Sequence, residues 1–268
     1  MQKLGVVEDT LFVPMLGRIY ASEHCPQILY DKKALELKNK LPSDLIEQNK
    51  QNQYTLLASA SRSANMDRII RTFLERRPDG VIVQLGCGLE TTYHRCDNGK
   101  THWYAVDLPH VIEYRRGLLP EPERECYISG NAFAKDWIKK VRDEVLDTPI
   151  LVIAGGLFHY FEENKVIALL RMIGQFGNME VVFDTVNRKG MAMMQKKYMR
   201  QVGHADAQMF FYVDAVEELA AKIGGNAKVI ADEPYYRYIP KNGLKMSTKV
   251  SMAVSDRFCM VKMIQLKL

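Results

Sequence analysis

The chain has 268 residues, of which 47% are apolar and 26% charged, and its formal net charge is +5. This balance excludes disordered, collagen-like and coiled-coil architectures. The basic excess is spread along the chain, with no basic stripe interleaved with aromatics, so a nucleic-acid surface is not expected.

From the start, residues 1–77 read as helical, with no convincing strand. Lys3, Glu8 and Asp9 stand at the N-terminus without an apolar stretch behind them, unlike a signal peptide, and no run of about 18 apolar residues could span a bilayer. A cytoplasmic protein without a membrane partner is therefore expected. Leu35 to Lys38 begins an amphipathic pattern, and Pro42-Ser43-Asp44 reads as a stop followed by a helix start. Between residues 54 and 77, Leu56, Leu57, Ala60, Ala64, Ile69, Ile70, Phe73 and Leu74 recur at three- and four-residue steps, predicting a long helix with one face on a core.

Pro78-Asp79-Gly80 ends that helix, and Val81 to Leu85 is a short, nearly continuous β-branched run suited to a strand buried on both faces. Further strands are predicted over 103–107, 126–128, 150–154 and 181–184, separated by helix-length stretches over 111–119, 133–146 and 165–176. Strand and helix alternating at this spacing predicts a doubly wound α/β sheet. After Asp184 the rhythm breaks. A methionine-rich stretch over 188–203 contains Met191, Met193, Met194, Tyr198 and Met199 among basic residues. A helix is expected over 213–223. Two strand-like segments, 228–231 and 258–266, flank the turn residues Pro240 to Gly243 and suggest a terminal antiparallel hairpin.

Five cysteines are widely spaced with no C-x-x-C pair, which reads as reduced thiols. Six scattered histidines show no ligand spacing, so no metal is expected. Cys87 reads as a small buried hydrophobe.

The chemistry concentrates where the first strand ends in Gly86-Cys87-Gly88 and the second ends in Asp107, 21 positions after Gly86. A glycine turn there lets a ligand approach the backbone, and an acidic residue at that distance meets ribose hydroxyls in nucleotide-binding sheets. The third glycine of G-x-G-x-x-G is replaced by Thr91, and no phosphate loop is present, which disfavours pyrophosphate and triphosphate ligands. A phosphate-free nucleoside fits better, and S-adenosylmethionine is the common one. The bland alternative is a tight strand–helix turn with Asp107 as a helix cap.

The segment from Arg62 to Pro109 resembles the leucine carboxyl methyltransferase superfamily, whose bacterial members include polyketide-type O-methyltransferases. The likeness rests on Arg62, on Leu85 to Thr92, on Arg95 and on Val106-Asp107-Leu108-Pro109, with support from Ile153 to Phe161. It implies a class I methyltransferase fold of seven strands, the last antiparallel, with an N-terminal helical cap over 1–77. The cofactor domain would span 78–268, with a helical insertion at about 188–224.

The resemblance also implies roles. Arg62 would pair with the carboxylate of S-adenosylmethionine, Gly86 and Gly88 would lie against its methionine portion, and Asp107 with Leu108 would hold the ribose. Asn131 and Ala132 would meet the adenine, and Gly155 to Tyr160 would line the wall beside the sulfonium. Two positions depart from the family pattern: Glu90 stands where many relatives have Asp, and Gly155 where many have Glu.

The reading is an O-methyltransferase acting on a hydroxyl or carboxyl oxygen of a small molecule. His159 and Tyr160 are its candidate catalytic residues, with His204 as another possible base. A core histidine and a packed ring are the alternatives for the first two. An adaptable methionine-lined cover and a plain amphipathic helix are equally open for residues 191–199. The competing functions are a nicotinamide-dependent oxidoreductase and a non-catalytic cofactor-binding protein.

Overall fold

The computed structural model describes residues 6–41, 51–195 and 209–268. The predicted methionine-rich stretch is thus described only to residue 195. His204, Tyr198, Met199 and the stop at 42–44 lie outside the described residues.

The first elements are α1 (Val6–His24), α2 (Lys32–Leu37) and the long α3 (Gln53–Arg76). Asp31 caps α2 by accepting from the Ala34 amide, and Asn52 caps α3 by accepting from the Thr55 amide. The α/β region follows as β1 (Val81–Leu85), α4 (Thr92–Cys96), β2 (Trp103–Asp107), α5 (Pro109–Leu118), β3 (Glu125–Ser129), α6 (Asp136–Val145), β4 (Ile150–Ala154), α7 (Glu163–Gly174) and β5 (Met179–Val186). The rest comprises α8 (Arg188–Met193), α9 (Val216–Ile223), β6 (Lys228–Pro234), α10 (Met246–Arg257) and β7 (Val261–Lys267).

The strands form one seven-stranded sheet in the order β3-β2-β1-β4-β5-β7-β6. β7 runs antiparallel to both neighbours, with Val186 opposite Val261 and Glu180 opposite Lys267. This is the seven-stranded mixed sheet expected, with its last strand antiparallel. Every residue of β1 and β4 is buried, Gln84 of β1 included, as suits largely apolar strands covered on both faces.

The strand alternation divides the core. Val81, Val83 and Leu85 pack with Ile138, Leu170 and Leu219 of α6, α7 and α9. Ile82, Leu151 and Ile153 face Ile70 and Phe73 of α3 and Met252 of α10. Leaving β1, the chain turns first toward β2 and later crosses to β4 on the other side. A crevice opens at the carboxyl ends of such strands.

One expectation is corrected. The last two strands pair antiparallel but do not form a hairpin, because α10 lies between them. Only Thr248, Met252 and Ser255 of α10 are buried, so its sequence lacks a broad apolar stripe. The final strand begins at Val261 rather than at 258, since Phe258 is the carboxyl cap of α10.

Candidate functional site

One cavity of about 1250 Å³ occupies the crevice. Arg62, Gly86, Gly88, Asp107, Leu108, Asn131, Ala132, Gly155, His159 and Tyr160 all line it, so apart from His204, which lies outside the described residues, the residues singled out above for the cofactor or the reaction border one space. Its volume exceeds the ~300–1,000 Å³ of a typical single-ligand pocket, leaving room for two molecules side by side.

The floor is the turn after β1. Gly86 and Gly88 have φ of +60° and +46°, the left-handed region where a Cβ costs energy. A Cβ on Gly86 would also sit 2.9 Å from Leu157 Cδ1. The turn is fixed by Asp107 at the end of β2. Its Oδ2 accepts from the Gly88 amide and its Oδ1 from the Leu108 amide, each at 2.8 Å. Each oxygen keeps acceptor capacity for a diol. Burial pushes the Asp107 carboxyl above its ordinary range, partly opposed by those two amides.

Beneath the turn lies an ionic network that the sequence reading did not assemble. Arg115, fully buried on α5, donates to the Gly88 carbonyl at 3.1 Å and the Glu90 carbonyl at 2.6 Å. Its other nitrogen faces Glu125 at 3.3 Å, and the guanidinium lies 4.7 Å from the Tyr127 ring centroid. Glu90 accepts from Arg18, from Ser63 at 3.0 Å and from Thr92 at 3.0 Å, with Arg95 at 3.4 Å. Arg95 in turn grips Asp67 at 2.7 and 2.9 Å and Asp31 at 2.6 Å. Burial alone would raise the Glu90 carboxyl, but Arg18, Arg95 and Arg62 outweigh it and hold it at about 2. The network ties α1, α3 and α4 to the glycine turn.

The opposite wall centres on Asp184 of β5, which was read only as the end of a strand. Its Oδ1 accepts from the Gly156 amide at 2.6 Å. Its Oδ2 faces Arg62 Nη1 at 3.4 Å and His159 Nε2 at 3.3 Å. Burial pushes this carboxyl up, yet Arg62 and His159 hold it well below the ordinary aspartate range. An acidic residue in the middle of the apolar part of the strand Met179–Val186, away from the half-buried Glu180 at its start, was the available signal.

His159 is 4% exposed, and its Nδ1 is shielded from solvent with no hydrogen-bond partner among the described residues. Tyr160 is 39% exposed. At the far side, Asn131 turns its Oδ1 to the Phe133 amide at 2.9 Å, and the Ala132 carbonyl accepts from Trp137. Further lining includes Met193, Met194 and Met209, and Ser247, Val250, Ser251 and Val254 of the unforeseen α10.

The arrangement fits a phosphate-free adenosyl amino acid: a turn that bars side chains, a carboxylate with spare acceptor sites, and a guanidinium beside an anion.

Residues 6–174 match the family model for leucine carboxyl methyltransferase. The tetracenomycin polyketide synthesis O-methyltransferase TcmP of Streptomyces glaucescens is 30% identical over 186 residues, covering 69% of this chain and 67% of that protein. Among solved structures, a Thermobifida fusca protein assigned to the methyltransferases superposes with a TM-score of 0.61 at 13% identity, covering 94% of each chain. Magnesium protoporphyrin IX methyltransferase from Synechocystis, solved with bound S-adenosylhomocysteine, gives 0.50 at 8% identity, covering 88% of this chain and 99% of that one. No described helix is long and apolar enough to cross a membrane.

Proposed function

The chain belongs to the leucine carboxyl methyltransferase family, and from that premise we propose that it is an S-adenosylmethionine-dependent O-methyltransferase acting on a small molecule. The observation that carries this reading is the shared cavity, with Arg62, the Gly86–Gly88 turn and Asp107 around one space large enough for donor and acceptor together.

In this reading Arg62 pairs with the cofactor carboxylate, as suits a guanidinium. Gly86, Gly88 and Gly155 let its methionine portion lie against backbone. Asp107 and Leu108 hold the ribose, and Asn131 with Ala132 borders the adenine. The cofactor supplies a methyl group on a sulfonium that departs as a neutral thioether, so the protein has little proton work on the leaving side. Its task is to hold donor and acceptor in line, about 3 Å apart.

The acceptor decides whether a base is needed. His159 turns one nitrogen to Asp184 and encloses the other, an arrangement suited to positioning. An acceptor that arrives ionised fits this wall best. A carboxylate with a pKa of about 4 meets the condition at neutral pH, and a phenol near 10 does not. A carboxyl oxygen is therefore the preferred target, with His159 and Tyr160 beside it.

Calorimetric titration with S-adenosylhomocysteine, followed by methyl transfer to a panel of aromatic acids and matched phenols, tests the proposal. Binding and methyl-ester formation are expected. No heat at millimolar ligand removes the cofactor assignment, and turnover of phenols alone removes the carboxyl preference.

A further inference from the structure

The cofactor's amino-acid end carries a carboxylate and an ammonium, and a closed site must satisfy both. Arg62 answers the first. Beside Arg62 the wall carries Gly155, which offers the ammonium no side chain. A Cβ at Gly155 would stand 3.5 Å from Arg62 Cδ and 3.7 Å from Met66 Cε, ordinary contact distances, so the position has room for a side chain that this sequence omits.

Three carboxylates border the cavity, Glu90 and Asp107 half-buried and Asp184 buried. Glu90 is saturated: Oε1 accepts from Arg18 and Ser63, and Oε2 from Thr92, the Thr91 amide and Arg95. Asp107 sits at the end of β2, where the ribose is assigned. Asp184 remains. It lines the cavity while only 3% exposed, and its neighbours include the guanidinium assigned to the cofactor's other charge. Its donors are the Gly156 amide, Arg62 and His159, which use three of about four lone-pair sites on a carboxylate.

We infer that Asp184 anchors the cofactor's ammonium, so that the Arg62–Asp184 pair receives the zwitterion as a unit. The inference rests on the cofactor assignment above and adds a residue to it. A buried ion pair divided between two opposite charges exchanges one charge contact for two. The fixed Gly156 amide and His159 keep the carboxylate in place while Arg62 turns to its new partner.

The test compares S-adenosylhomocysteine with its analogue in which hydrogen replaces the α-amino group, both titrated calorimetrically. The parent protein should bind the analogue about 30-fold more weakly, the scale of one charge-assisted hydrogen bond. Asp184→Asn should weaken S-adenosylhomocysteine by a similar factor and leave the analogue within about twofold. Adding Gly155→Glu to that variant should restore at least tenfold of the lost affinity for S-adenosylhomocysteine only, as a returned charge contact would. Equal loss for both ligands in Asp184→Asn, or equal binding of both by the parent, overturns the inference.

Should the variant not fold, a crystal of the parent with S-adenosylhomocysteine decides. An amine nitrogen within hydrogen-bond distance of an Asp184 oxygen supports the assignment, and one held elsewhere ends it. If the parent binds neither ligand, the cofactor reading itself has failed, a result distinct from a failure of Asp184.

Discussion

Asp107 does two jobs with one carboxylate. Its oxygens fix the Gly88 and Leu108 amides at 2.8 Å, and the residue itself borders the cavity. Asp107→Ala should weaken S-adenosylhomocysteine by about 10- to 100-fold in calorimetry, the range for hydrogen bonds to a charged group. The pH dependence has a definite sign. A diol donates to the ionised form, and burial raises this carboxyl above the ordinary 3.8, so affinity should fall with acidification at a higher pH than for a free aspartate. In Asp107→Asn that part of the profile should vanish. Gly156 gives a separate check: at φ +68°, an added Cβ would lie 2.4 Å from Arg62 Nη1. Gly156→Ala should cost about 1–2 kcal/mol in chemical denaturation and weaken the ligand by displacing the guanidinium.

Among the elements, α5, which borders the cavity through Val111, shows how a helix beneath the glycine turn governs the floor. Val111, Ile112 and Arg115 are its buried residues, at a helical spacing that would ordinarily be apolar throughout. The arginine is there because the Gly88 and Glu90 carbonyls and Glu125 need a donor in the interior. Arg115→Met should cost roughly 3–5 kcal/mol, since it leaves Glu125 buried without its partner. Urea denaturation measures the loss, and a stability unchanged within error would show that the turn holds itself. By contrast, α10 was illegible because its weak apolar pattern resembles a polar loop, and contacts with β7 and α3 decide that it folds as a helix.

For the whole molecule, the sheet order brings the ends of β1, β2, β4 and β5 to one crevice, and the ionic network fastens the N-terminal helices to its floor. This coupling should appear as acid sensitivity. The folded Glu90 carboxyl titrates at about 2, against an ordinary 4.5. A depressed acid contributes stability that is complete above the ordinary value and is lost as pH falls toward the folded one. Thermal melts across that window should show a falling midpoint in the parent. Glu90→Gln, already lacking the charge, should show lower stability at neutral pH and a flatter decline.

The sequence by itself determined the alternation of strands and helices, because strands such as β1 and β4 must be almost wholly apolar to lie inside a covered sheet, and that pattern is local. It also determined the glycine turn and Asp107, whose residue types and 21-position separation are properties of the chain. Only the tertiary structure decided what Asp184, Arg115 and α10 do. Their partners lie far along the sequence: Asp184 meets Arg62 across 122 positions, and no local pattern encodes a charge satisfied from that distance.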